Sequence, residues 1–307
     1  MPAYNRHLPQ NERKMNRTLK SIIRHAVYLS ICVMLTSIAK SEDLADNTIE
    51  TAIRNGMKYL KNKEAVGEPQ YSDYVVFCGL SVEKEHPEYK KIIAPYKKWI
   101  VKKERFKGKG PYLYFSACHV MALDVIGEKE KAKAMAEKFK PYANDGKWSG
   151  ISYHYGWYLY CAIVAEDQKL TDETYKILYD ICEKTPNRYQ YFVAYCLLTA
   201  YDKTKDKKYQ KFFLMIMNNL KKYEGLFLKM AKTDGHMGMT LYDFSLAYKL
   251  TKNEEYKTIA TKLALVLLDT QMENGSWNEK TAYTIMPIEG LVAYNKCCNN
   301  EENGDHK

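Results

Sequence analysis

Glycine and proline are scarce in this chain, 15 and 9 copies among 307 residues. That scarcity points to helices as the dominant element. No low-complexity stretch and no long linker divides the chain after residue 39. No Cys-x-x-Cys pair occurs, which removes the usual frame of a structural zinc site, and no metal site is expected. No cofactor-binding pattern stands out either. Arg-rich runs interleaved with aromatics are missing, so nucleic acid is a poor candidate partner. The apolar run Ala26–Ala39 spans 14 residues, too short to cross a bilayer comfortably. What is abundant is tyrosine, with 27 copies, and apolar residues at 46%, enough for a substantial core and too much for a disordered chain.

The apolar run has another reading. Arg17, Lys20 and Arg24 precede it, and Ser37-Ile38-Ala39 ends it with small residues at both cleavage-determining positions. This is the pattern of a secretory signal peptide. Residues 1–39 are therefore expected to be an N-terminal extension plus signal. Residues 40–298 then form one domain and 299–307 a polar tail. Secretion or export to a periplasm follows, without stable membrane insertion once the signal is removed. The first 39 residues hold six Lys/Arg and one Glu, so the formal charge of +10 falls to a surplus of five. That is an ordinary solvated surface, compatible with an acidic substrate.

The rest of the chain repeats. Six times a Lys/Glu-rich amphipathic stretch is followed by a turn and a more apolar, aromatic-rich stretch. The first kind is read as helices near 46–62, 88–103, 129–140, 171–184, 206–222 and 254–272. The second is read near 71–82, 111–126, 152–165, 187–202, 237–250 and 281–297. Stretches such as "YHYGWYLYCAIVA" have almost no charged face, and a helix apolar all round is buried. The first helix of each pair should lie outside and the second inside. The expected fold is all-α, an α/α toroid of about six helical hairpins in an outer and an inner ring. Cys78, Cys118, Cys161 and Cys196 recur at one site of the inner helices, where cysteine serves as a small hydrophobe. Cys297 or Cys298 is the available disulfide source, with Cys182 as a candidate partner.

"LLDTQMENGSW", Leu267–Trp277, followed by "YTIMPIEGLVAY", resembles the Gln-Trp repeat of the terpenoid cyclase and protein prenyltransferase superfamily. The copy "NDGKWSG", Asn144–Gly150, matches it less well. The resemblance implies an α/α toroid in which Gln271 and Trp277 tie the outer helix end to the inner helix start. It does not imply that family's chemistry, because the Asp-x-Asp-Asp and Asp-Asp-x-x-Asp motifs are missing. The toroid is also similar to that of secreted polysaccharide lyases and glycoside hydrolases.

In such a toroid the inner helices start together, and their N-termini turn partial positive charge toward a common mouth. Titratable candidates near those starts are Asp73, His154 and His236, with Asp243 and Glu289 deeper. Arg188, Tyr114, Tyr153, Trp157, Tyr191, Tyr242 and Tyr283 are candidate binding residues. His119 reads as a core histidine. Aromatic faces with hydroxyls suit sugar rings, so a poly- or oligosaccharide, with acidic ones among the candidates, is the expected partner. A lyase would need a Tyr or His base, with Arg188 or a histidine neutralising the sugar carboxylate. A hydrolase would need two carboxylates from Asp73, Asp243 and Glu289. The alternative is a non-catalytic binding or scaffold toroid, and third comes a terpenoid cyclase-like enzyme.

Overall fold

A computed structural model describes residues 48–62, 69–102, 112–143 and 152–299, with no strand among them. The signal-like segment, the "NDGKWSG" turn, the Tyr153 side chain and the tail after Asn299 lie outside the described residues. The described helices from Ile49 onward belong to one compact unit. In chain order the first are α1 (48–62), α2 (Pro69–Glu85), α3 (Tyr89–Lys102), α4 (Tyr112–Val125), α5 (Lys129–Glu137), α6 (Lys140–Ala143) and α7 (Ser152–Val164). Then come α8 (Gln168–Lys184), α9 (Gln190–Thr204), α10 (Lys207–Leu220), α11 (Glu224–Ala231), α12 (Met237–Thr251), α13 (Glu254–Asp269) and α14 (Thr281–Tyr294). Among the described residues no helix is long and apolar enough to cross a membrane.

Two kinds of helix alternate, as the charge pattern predicts. Helix α8 buries only Thr171, Thr174, Leu178 and Cys182, a single stripe at helical spacing. Helix α10 buries one broader aromatic stripe, from Tyr209 to Leu220. By contrast α14 buries every residue except Tyr283. The six apolar helices α2, α4, α7, α9, α12 and α14 touch in that order, and α14 touches α2 in turn. Their shared interior holds Phe77, Trp157 and Tyr195, each worth about 1.5–3 kcal/mol of burial. Cys78, Cys118, Cys161 and Cys196 are at most 1% exposed and are free thiols. Burial pushes all four well above the usual thiol range. Cys182 is free as well, so it makes no disulfide with Cys297 or Cys298.

Helices α12 and α14 meet backbone to backbone. A Cβ on Gly238 would stand 2.2 Å from the Met286–Pro287 peptide, and one on Gly290 would stand 2.4 Å from the Gly238 carbonyl. Asp243 lies on α12 and Glu289 on α14, the two helices that this approach brings together.

Three inner helices, α7, α9 and α12, end by the same device. Glu166, Lys205 and Lys252 take a left-handed conformation, with φ of 56°, 59° and 57°. The next residue, Asp167, Asp206 or Asn253, caps the outer helix by accepting from its first-turn N–H groups. The repeat "TKDKKY"/"TKNEEY" writes this junction twice in the sequence, at Thr204–Tyr209 and Thr251–Tyr256. The last outer-to-inner turn is built differently. Gln271 Nε2 donates to the carbonyls of Gly275 and Ala52, at 3.0 and 2.8 Å. Trp277 Nε1 donates to Leu267 O at 2.8 Å, and its backbone N–H reaches Thr284 Oγ1 on α14. Gly275 must be glycine twice over: its φ is +86°, and a Cβ would lie 2.3 Å from Asn55 O.

Candidate functional site at the C-terminal ends of the inner helices

A cavity of about 640 Å³ opens among the C-terminal halves of the inner helices. Phe77 and Ser81 come from α2, Asp124 from α4, Tyr160 from α7, Tyr195 and Lys203 from α9, Tyr242 from α12 and Glu289 from α14. A smaller depression of about 280 Å³ shares Ser81, Lys84, Asp202, Tyr242 and Glu289 with it. Sequence reasoning looked toward the opposite ends of these helices. Of the expected site residues, Tyr242 and Glu289 line the cavity.

Glu289 is 1% exposed. Its Oε1 accepts from Ser81 Oγ at 2.7 Å and from the Tyr195 hydroxyl at 3.2 Å. Its Oε2 has no hydrogen-bond partner. Burial pushes the carboxyl up to about 8, against the pull of hydrogen bonds from Ser81, Cys78 and Tyr195. At neutral pH the group is mostly a carboxylic acid. Ser81 Oγ also lies 2.8 Å from the Cys78 carbonyl, so its single proton is shared between that oxygen and Oε1, while Oε2 is the carboxyl oxygen without a partner among the described residues. Asp243 is 0% exposed, and neither of its oxygens has a partner. Burial first, and Glu289 second, push its carboxyl well above the usual range.

Another part of the lining is ion-paired. Asp124 holds Lys203 Nζ at 2.8 and 3.0 Å and accepts from the Tyr160 hydroxyl at 2.6 Å. Tyr195 and Tyr242 present rings 5.4 Å apart, and Phe77 lies 5.8 Å from Tyr195. Ser81, Asp124, Tyr160, Tyr195 and Lys203 were not anticipated. The signal for Asp124 is the lone carboxylate in "YLYFSACHVMALDV", a helix otherwise free of charge apart from His119.

The remaining expected residues are spread over other surroundings. Asp73 lies at 0% exposure with its Oδ1 2.8 Å from His119 Nδ1, also at 0%. Trp157 is fully enclosed, packed on Tyr74, Phe77 and Tyr114. His154 is half-buried, its ring 6.0 Å from that of Tyr114, and burial lowers its pKa. Tyr191 is buried against Phe192 and Phe227. Arg188 donates to the Tyr189 hydroxyl at 2.7 Å and stacks on that ring. His236 Nδ1 pairs with Asp234 Oδ1 at 2.7 Å and packs on Tyr283, whose ring is 4.7 Å away. Burial raises the Asp234 carboxyl, but the hydrogen bond and charge of His236 outweigh it and hold the group low. His154, Arg188 and Asp243, expected at one rim, are not among the side chains lining the cavity. The reason is that Arg188 is engaged by a surface tyrosine, while Asp243 is enclosed between α12 and α14.

Among the described residues no group of His, Cys, Asp and Glu is placed to hold a metal ion. Comparison with protein-family models, curated proteins and solved structures yields no match. The all-helical build is compatible with the helical toroid that the Gln-Trp resemblance implies.

Proposed function

We propose that the chain is an α/α toroid whose cavity binds a poly- or oligosaccharide, with Glu289 as general acid for cleavage of a glycosidic bond. The cyclic contact order of the six inner helices supports the toroid. The observation that carries the chemistry is Glu289 itself: a buried carboxyl, protonated near neutral pH, with Oε2 unpartnered in the wall of a tyrosine-lined cavity. A general acid needs its pKa near the working pH, and burial supplies that here. The ion-paired Asp124, in the lining of the same cavity, would be the second carboxylate that hydrolysis requires. Secretion, read from residues 1–39, belongs to the same proposal.

The test is a screen of the full chain against neutral and acidic polysaccharides, with reducing-end and ultraviolet detection. New reducing ends without unsaturated product, lost by 10²-fold or more in Glu289→Gln, are expected. Unsaturated product would replace hydrolysis by lyase chemistry. Binding without turnover would make the toroid a non-catalytic receptor. No binding of any polysaccharide would end the carbohydrate reading.

A further inference from the structure

The charges around the cavity do not balance, and the imbalance names a ligand class. Four carboxylates line the two depressions besides Glu289, and each has a lysine. Asp124 holds Lys203, Glu83 holds Lys97 at 3.0 Å, Glu85 holds Lys296, and Asp202 lies 3.6 Å from Lys205. Two lysines lining the smaller depression, Lys84 and Lys249, have no carboxylate within ion-pair distance among the described residues, and Lys84 lines the larger cavity too. With Glu289 protonated, the unmatched charge at the mouth is positive.

We infer that the sugar bound here is anionic, a uronate whose carboxylate is taken by Lys84 with Lys249 beside it. The inference rests on the carbohydrate reading of the cavity. Two features oppose an anion, and both are met. The inner helices turn the negative ends of their dipoles this way, but Lys84 and Lys249 sit in the last turns of α2 and α12 and offset that charge. Glu289 would repel a carboxylate if ionised, but a neighbouring anion holds its proton more firmly. A cationic sugar would do the reverse: it would strip the proton from Glu289 and remove the donor that the cavity keeps. The groups facing Glu289 are Cys78 and Ser81 on α2, Tyr195 on α9, and Tyr242 and Asp243 on α12. None of them brings a positive charge, so recognition of an anion falls to the rim lysines.

Titration calorimetry of the full chain with oligogalacturonate, a neutral cello-oligosaccharide, a glucosamine oligomer and citrate tests this. Oligogalacturonate is expected to bind most tightly. Lys84→Gln should weaken it about three- to fivefold, and Lys84→Gln with Lys249→Gln about tenfold, with the neutral sugar unchanged. Both lysines are exposed, so the variants keep the fold. Equal binding of neutral and acidic oligomers, or preference for glucosamine, would overturn the anionic ligand and leave the sugar reading intact. Citrate bound and weakened in the variants, with no sugar bound, would keep the anionic ligand and end the sugar reading. No binding by any of the four would end both.

Discussion

Two pairs of buried acid-bearing residues sit inside this bundle and are treated in opposite ways. Asp73 and His119 are both wholly enclosed and hydrogen-bond each other at 2.8 Å. Asp243 and Glu289 are enclosed as deeply, yet three of their four carboxyl oxygens have no partner. A buried polar group without a partner costs stability, while a paired one is close to neutral. The first pair is therefore part of the framework. The second is a cost that the fold carries beside a cavity, which is where such costs coincide with function.

The comparison breaks most visibly by mutation of the satisfied pair. His119→Ala removes one hydrogen-bonded partner of the buried Asp73 and opens a cavity beside it, and should cost about 2–5 kcal/mol in urea melts. A loss under about 1 kcal/mol would erase the distinction. Asp243→Leu should do the opposite, stabilising the protein by about 1–3 kcal/mol, because an unpartnered carboxyl gives way to an apolar group of similar shape. Destabilisation there would reveal a partner for Asp243.

Next in size is pH. The Glu289 carboxyl rises from an ordinary 4.5 to about 8 on folding. The folded chain thus keeps a proton that the unfolded chain has lost. This contribution to stability is fully present below about pH 4.5 and is lost as pH rises through 8, at up to about 1.4 kcal/mol per unit. Glu289→Gln should flatten the decline by as much as one proton; an unchanged slope would place the titration elsewhere. The smallest effect is kinetic. Cys78, beside Glu289, and Cys118, whose thiol feels Asp73, should both label slowly in the folded protein. In His119→Ala, Cys118 should become reactive ahead of Cys78. Equal acceleration would mean global loosening rather than a local loss.

The sequence makes inside and outside legible because the two helix types differ in charge, and charge follows solvent. Stretches such as "YLYFSACHVMALDV" have no face for water, and they are the ones enclosed. The reading near 206–222 gives way to α10, a short 3-10 turn at Lys221–Tyr223 and the separate α11. Pattern alone does not separate these, because the break at Leu220 carries neither glycine nor proline. The last Gln-Trp turn was legible because its bonds from Gln271 to Gly275 and from Trp277 to Leu267 are local, although Gln271 also reaches Ala52. The cavity was harder. Dipole reasoning pointed to the helix starts, but at the other end Ser81 and Tyr195, 114 positions apart in the sequence, donate to one oxygen of Glu289. Such convergence is a property of the packing, with no trace in spacing along the chain. What the sequence did offer was the lone carboxylates Asp124, Asp243 and Glu289 in helices with few charges.

The bond from Gln271 to the Ala52 carbonyl joins residues 219 apart, and the Tyr59 hydroxyl reaches Glu279 O across 220. The first helix therefore leaves the ribosome long before the segment that completes its surroundings. At about 5–20 residues per second, that is a wait of roughly 10–45 s. Through that interval the face of this helix around Gly56 lacks Ile288 and Trp277, which pack on it in the finished molecule. A truncation after residue 270 would remove this seam and leave the face of the first described helix around Gly56 without Trp277 and Ile288.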